Sequence, residues 1–232
     1  IRDQPRSRGL GDVYKRQFFD IVEKDVIKRM KIKKKKTFKE MAKYLISSSS
    51  LEFSFSKLKR ILSVRDLHTI KNWISGMEQS YLIHIIERYS PKLKESIIAP
   101  KKVFCIDTGL VRTLSFRLSE NTGRLMENLV AVELLRRRSY WCPSWEIYYW
   151  KDHQHREVDF IIKDGREVKQ LIQVTYVEAE SDVPFREISS LTRAGKILNC
   201  KDLLVITWDC EEEVEFKGKR VKLIPFWKWL LC

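Results

Sequence analysis

Two short stretches carry the side chains best suited to chemistry: R-E-V-D-F-I-I-K-D-G at 156–165 and L-I-Q-V-T-Y at 171–176. They read as two β-strands joined at Asp164-Gly165, a dipeptide that favours tight hairpin turns. Asp159 lies in the first strand. Successive strand side chains face opposite ways, so Gln173 and Thr175 share one face of the second. A further carboxylate, Glu127, sits in the helix candidate G-R-L-M-E-N-L-V-A-V-E-L at 123–134. Its neighbours one turn away are Gly123, Val130 and Ala131, and Arg124 is the one local charge able to pair with it. A carboxylate in such surroundings calls for a distant partner, a metal ion or a shifted pKa. Glu133, by contrast, has Arg136 and Arg137 within helical reach and is expected to form a surface ion pair. His153 and His155 fall in a polar turn and are expected to face solvent rather than a metal.

These residues need elements to hold them. A helix is expected to open at Asn121-Thr122 and run to Arg138, with apolar rows Leu125, Leu129, Val132 and Met126, Val130, Leu134 burying most of it. Strands are expected at Trp145–Trp150, Glu157–Lys163, Gln170–Tyr176 and Leu203–Trp208, with a helix at Phe185–Leu198 and strand-like segments around Gly218. The order α-β-β-β-α-β predicts an α/β layer arrangement with a central mixed sheet. Trp145, Tyr148, Tyr149, Trp150, Phe226, Trp227 and Trp229 are expected to pack rather than to stack on bases.

The preceding half has a different pattern. Phe18, Val22, Val26 and Met30 at i+4 spacing predict a helix. A run of basic residues follows, Lys31–Lys36, broken by Ile32. Thr37 with Glu40 three residues on has the form of a capping box for a second helix carrying Phe38, Met41 and Leu45. Ser47–Ser50 is a loop. Ser54 or Ser56 is expected to start a third helix, and Asp66 to cap a fourth with Leu67, Ile70, Ile74 and Met77 along one face. Residues 81–89 and 102–106 read as returning strands, with Pro91 and Pro100 bracketing their connection. Short helices followed by a two-stranded unit is the order of a winged helix-turn-helix, whose last helix enters the DNA major groove. That helix would present His68, Lys71 and Asn72, with Lys33, Lys34, Lys35 and Lys36 as a phosphate-tracking arm.

Composition fits this division. Of 232 residues, 44% are hydrophobic and 33% charged, and the net charge is +14. Residues 18–100 hold 18 basic against 9 acidic side chains, whereas residues 101–232 hold 22 against 20. Charge concentrated in one domain suits a polyanion. The five cysteines form no C-x-x-C pair, which points to a reduced, cytoplasmic setting without zinc ribbons. No apolar run approaches the roughly 20 residues that span a bilayer, so no membrane is expected as a partner. Residues 1–17, containing G-L-G-D-V-Y-K-R-Q, resemble a translated sequencing-adapter tail and are expected to carry neither fold nor function. The expected domains are thus 1–17 as a non-native tail, 18–115 as a winged helix with a basic segment, and 116–232 as the α/β domain.

The strings G-R-L-M-E-N-L-V-A-V-E-L, Y-Y-W-K at 148–151, E-V-D-F-I-I at 157–162 and I-Q-V-T-Y at 172–176 resemble the PD-(D/E)XK, restriction-endonuclease-like superfamily. More specifically, residues 18 to about 210 resemble the C-terminal region of prokaryotic, largely archaeal AAA+ ATPases. In those proteins a P-loop ATPase domain precedes a winged helix and a nuclease-like domain. The resemblance implies Asp159 and Glu127 as Mg²⁺ ligands, with Gln173 and Thr175 at the remaining catalytic positions. There the superfamily carries Glu and Lys, so the motif is degenerate; Lys163 and Lys169 are the nearest substitutes for the lost ammonium. No G-x-x-x-x-G-K-[ST] occurs, so ATP is expected only in a missing N-terminal domain. The expected function is DNA interaction by a degenerate, non-catalytic nuclease-like region. The alternatives are an active Mg²⁺-dependent DNA endonuclease and a protein-interaction module serving assembly of the ATPase, with a homo-oligomer as a possible partner.

Overall fold

The computed structural model describes residues 9–115 and 122–231. Asn121, expected to open a helix, lies outside them, as do residues 1–8. The chain divides into two compact units, residues 1–85 with 103–120 and residues 86–102 with 121–232. An expected single boundary near residue 115 is thus replaced by a chain that leaves the first unit and re-enters it. One internal segment of the basic half, 86–102, thus belongs to the second unit.

The first unit begins with helix α1 (Leu10–Asp20), which continues as a π-helical stretch, Ile21–Lys28. The helix expected from Phe18 therefore starts eight residues earlier, inside the stretch expected to carry no fold. Tyr14 explains why: its ring lies against Gly109, where an added Cβ would fall 2.2 Å from the ring. Phe18, Val22 and Val26 are fully buried, as their spacing predicts. Helix α2 (Lys35–Ser47) follows, then β1 (Glu52–Phe53), α3 (Phe55–Ile61) and α4 (Leu67–Gln79). Ser54 caps α3 by accepting from the Lys57 N–H. Asp66 caps α4 through the N–H groups of His68 and Thr69, at 3.1 and 3.0 Å. Thr37 does not cap α2, which starts at Lys35 with no side-chain cap; two helix-favouring lysines carry the helix back past it.

Strand β2 (Ile83–Arg88) and strand β3 (Lys101–Cys105) are the expected returning pair. Between them the helix α5 (Leu93–Ile98) occupies what the two prolines had suggested was plain connection. Within the first unit, β3 lies between β1 and β2. Short helix α6 (Thr108–Leu114) ends its described part.

The second unit opens with α7 (Thr122–Tyr140). Met126, Val130 and Leu134 are buried as expected, but Leu129, expected in a buried row, is exposed. The buried stripe lies on one side and includes Asn128 and Glu133 instead. Strands β4 (Trp145–Lys151), β5 (Glu157–Asp164) and β6 (Glu167–Val174) form an antiparallel meander. The hairpin turn sits at Gly165, whose φ of +58° is left-handed backbone that glycine adopts freely. Helix α8 (Phe185–Ile197) crosses to β7 (Leu203–Thr207), which pairs parallel with β6. Strands β8 (Glu212–Phe216) and β9 (Lys219–Pro225) then extend the sheet, β9 parallel to β7, and α9 (Phe226–Leu231) closes the described chain. The last residues of β2 pair parallel with β4.

Every residue of β7 is buried, the continuous apolar run of a central strand covered on both faces. Val158, Ile161, Leu171, Leu191, Leu203 and Val205 belong to one core cluster beneath α8. Tyr149, Trp150, Phe226 and Trp229 pack as expected, while Trp227 is exposed. The result is the mixed α/β sheet that the element order predicts.

Candidate functional site

Five elements of the second unit bring their polar residues to one buried place. Strand β5 supplies Glu157 and Asp159, two residues apart and hence on one face. Strand β6 supplies Gln173, with Thr175 directly after it. Helix α7 supplies Glu127, helix α8 supplies Glu187, and the start of β3 supplies Lys102.

Lys102 is the centre. Its ammonium lies 2.7 Å from Glu127 Oε1, 2.6 Å from Glu157 Oε1 and 3.0 Å from Asp159 Oδ1. It also lies 5.6 Å from the centre of the Tyr149 ring, within cation–π range. The side chain is only 3% exposed. Burial works against its charge, but Glu127, Asp159 and Glu157 outweigh burial and hold its pKa well above the ordinary lysine value. The second oxygen of Asp159 accepts from Gln173 Nε2 at 2.7 Å and from the Val174 N–H at 3.0 Å. Gln173 thus acts here as a donor that orients Asp159. Lys151 adds a second ammonium 3.0 Å from Glu157 Oε2.

Two ammonium groups face four carboxyl groups, and burial and mutual repulsion favour the protonated form of the two least well neutralised. Burial raises Glu127 to about 8; Lys102 pulls it down and Asp159 pushes it up again. Burial and the Asp159 charge raise Glu187 to about 7, against a hydrogen bond with Thr175. Glu157 moves the other way: burial raises it, but Lys102 and Lys151 prevail and hold it below the ordinary range.

Of the residues singled out in the sequence, the structure brings Asp159, Glu127, Gln173 and Thr175 to one place. Sequence reasoning missed Lys102 and Glu187. Lys163 and Lys169, the expected substitutes for the absent motif lysine, do not reach the cluster. Lys163 pairs with Glu146 at 3.0 Å and Lys169 with Glu167 at 2.5 Å. The signal available for Lys102 was a lysine heading the apolar run Val103-Phe104-Cys105, where a strand buries its start. Glu187 gave none. Glu133, expected as a surface pair, binds Arg136 and Arg137 but is itself buried. His153 and His155 are exposed, as expected.

Mg²⁺ takes oxygen ligands directed at one point. The three carboxylate oxygens that converge do so on the Lys102 ammonium, and the free side of Asp159 is filled by two N–H donors. Among the described residues no group of three His, Cys, Asp or Glu side chains is arranged to hold a metal. The residues as placed therefore do not fit Mg²⁺; the lysine supplies the positive charge.

The residues expected from the sequence to meet DNA belong to the first unit. Lys33, Lys34, Lys35 and Lys36 are exposed, with Lys35 3.9 Å from Glu23. On α4, His68, Lys71 and Asn72 are exposed. Asn72 and His68 are joined at 3.1 Å, and Lys71 lies 5.6 Å from the Phe55 ring centre.

A mixed α/β sheet bearing a lysine-neutralised carboxylate cluster, preceded by a small helical unit with three short strands, defines the class. The chain belongs to the family described as Domain of unknown function (DUF8612), whose model matches residues 2–122. Residues 122–229 match a second family, described as Domain of unknown function (DUF4143). An uncharacterized protein, MJ1544, of Methanocaldococcus jannaschii is 33% identical over 95% of this chain and 50% of its own length. An uncharacterized protein of Haemophilus influenzae is 24% identical over 92% of this chain and 50% of its own length. The chain thus spans about half the length of the curated relatives it matches. No solved structure matches it. Among the described residues no helix is long and apolar enough to cross a membrane.

Proposed function

We propose that this chain is the DNA-engaging region of a longer ATPase-family protein, binding through a winged helix and carrying a nuclease-like domain that does not cleave. The observation that carries the reading is the exposed face of α4. Asp66 fixes the start of that helix, and His68, Lys71 and Asn72 stand out from its first two turns. The reading is supported by its setting, helices interleaved with short strands in the spatial order β1-β3-β2, which is compatible with a helix-turn-helix followed by a wing. In such a unit Lys71 meets phosphate and Asn72 reads a base edge, while Lys33–Lys36 track the backbone. The ATPase part of the reading rests on the sequence resemblance and on relatives twice as long as the matched span.

The nuclease-like domain follows the PD-(D/E)XK pattern at Asp159 and Glu127. Gln173 and Thr175 replace its other two positions, and Lys102 occupies the point on which the carboxylates converge. That arrangement supports a domain that does not cleave.

A second reading, an active Mg²⁺-dependent DNA endonuclease, draws on one observation: Lys102 returns to Asp159 an ammonium of the kind that Thr175 lacks. Duplex binding followed by anisotropy at several salt concentrations tests the main reading. Affinity is expected to fall steeply, with a slope of about −3 or beyond in log K against log salt. A slope near zero would leave protein assembly as the function. Plasmid incubated with Mg²⁺ or Mn²⁺ tests the second reading; cleavage abolished by Asp159→Ala would establish it.

A further inference from the structure

The second unit holds another concentration of charge, opposite in sign to the Lys102 site. A cavity of about 350 Å³ is lined by Arg156, Arg193, Lys196, Lys217 and Lys219, with the hydroxyl residues Ser189 and Thr192. Three separate parts of the unit contribute. Arg156 follows the polar turn before β5. Ser189, Thr192, Arg193 and Lys196 recur along α8 at helical spacing, so they share a face. Lys217 and Lys219 come from the turn and strand start of the β8–β9 hairpin.

Five cations around one concavity repel each other, and the neighbourhood does little to relieve them. No carboxylate lines the cavity. Arg193 is 3.4 Å from Asp152 Oδ2, and Lys219 donates to the Cys200 carbonyl at 3.2 Å. Lys217 lies 5.3 Å from the centre of the Phe216 ring. Arg156, Lys196 and Lys217 make no ion pair among the described residues. A solvated basic face would spread such charges over convex surface with acids between them. Here they converge on a hollow in the size range of ligand pockets, about 300–1,000 Å³.

The geometry points to a binding site for a group of two or more linked phosphates. Two guanidinium groups offer paired donors that match phosphate oxygens, and three ammonium groups supply the charge that a single carboxylate ligand would not need. The phosphates can belong to a free nucleotide or to consecutive positions of a nucleic-acid backbone. The site stands on the second unit alone and does not depend on DNA contact through α4.

The test uses the full chain, with tripolyphosphate and a short duplex as probes, followed by calorimetry and anisotropy. Wild-type protein is expected to bind tripolyphosphate saturably. Lys196→Ala, at an exposed helix position of α8, is expected to weaken that binding severalfold with thermal unfolding unchanged, whereas adding Arg193→Ala is expected to weaken it at least tenfold and to lower stability, because Arg193 faces the buried Asp152 carboxylate at 3.4 Å. Lys217→Ala, in an exposed turn, provides a second variant and is expected to weaken it severalfold. Duplex that competes with tripolyphosphate assigns the site to a nucleic-acid backbone; tripolyphosphate binding without competition assigns it to a free nucleotide. Lys71→Ala separates the two units: it is expected to weaken duplex binding while tripolyphosphate affinity stays the same. If wild type does not bind tripolyphosphate, or the α8 double variant binds it equally well, the proposal is overturned.

Discussion

Lys102 Nζ lies 2.7 Å from Glu127 Oε1, across 25 residues of sequence. The apolar helix around Glu127 demanded a partner that its own turns did not contain, and β3 delivers it. Breaking a buried ion pair by removing one member leaves a charge with neither water nor counter-ion. Lys102→Met is therefore expected to lower unfolding free energy by about 3–5 kcal/mol in chemical denaturation. Combining it with Glu127→Gln, which takes away one of the three carboxyl groups that share that ammonium, is expected to recover part of the loss. An additive or larger loss in the double variant would show that the pair is not coupled.

Glu187 gives a pH dependence. Its pKa is raised to about 7 in the folded chain from an ordinary 4.5. The folded state then holds a proton that the unfolded state has lost between those values. Stability from this group is fully present below about pH 4.5 and declines as pH rises toward 7. Glu127, raised to about 8, extends the same decline upward. Glu187→Gln is expected to flatten the profile and to stabilise the protein at pH 8 by about 2 kcal/mol. Denaturant midpoints from pH 5 to pH 8 read this directly; parallel profiles for variant and wild type would refute it.

Gly109 tests whether residues 10–17 belong to the fold. An added methyl there would meet the Tyr14 ring at 2.2–2.6 Å. Gly109→Ala is expected to cost about 1–3 kcal/mol by overpacking, and Tyr14→Ala in the same chain is expected to relieve it. A neutral Gly109→Ala would mean that Tyr14 does not sit there in solution.

Lys71→Ala addresses the α4 face. A phosphate contact carries no sequence information, so affinity for unrelated duplexes is expected to fall together, and the salt slope to flatten by about 1. Loss confined to one sequence would instead assign Lys71 to a base edge.

Much of this was legible locally. The hairpin at Asp164-Gly165 and the caps at Ser54 and Asp66 depend on residues within a few positions of each other, and they stand where the sequence puts them. Alternation along β5 placed Asp159 correctly, and helical spacing placed Met126, Val130 and Leu134 in the core. The errors lie where a neighbour outside the window decides. Tyr14 against Gly109 extends a helix through a stretch with no apolar period. Leu129 follows the apolar row of α7 but lands on its exposed side.

The sequence by itself determined most elements of the α/β half, the mixed α/β class, and the polar positions Glu127, Asp159, Gln173 and Thr175 as candidates. Only the tertiary structure decided what those positions form. Lys102 lies 57 residues before Asp159, and no periodicity links a strand start to a helix and a sheet so far away. The reason is that backbone propensity acts over a few residues, whereas a buried charge takes the counter-ion that packing brings near. The same packing gathers Arg156, Arg193 and Lys217 around one hollow, turning a nearly neutral half of the chain into two sites of opposite charge.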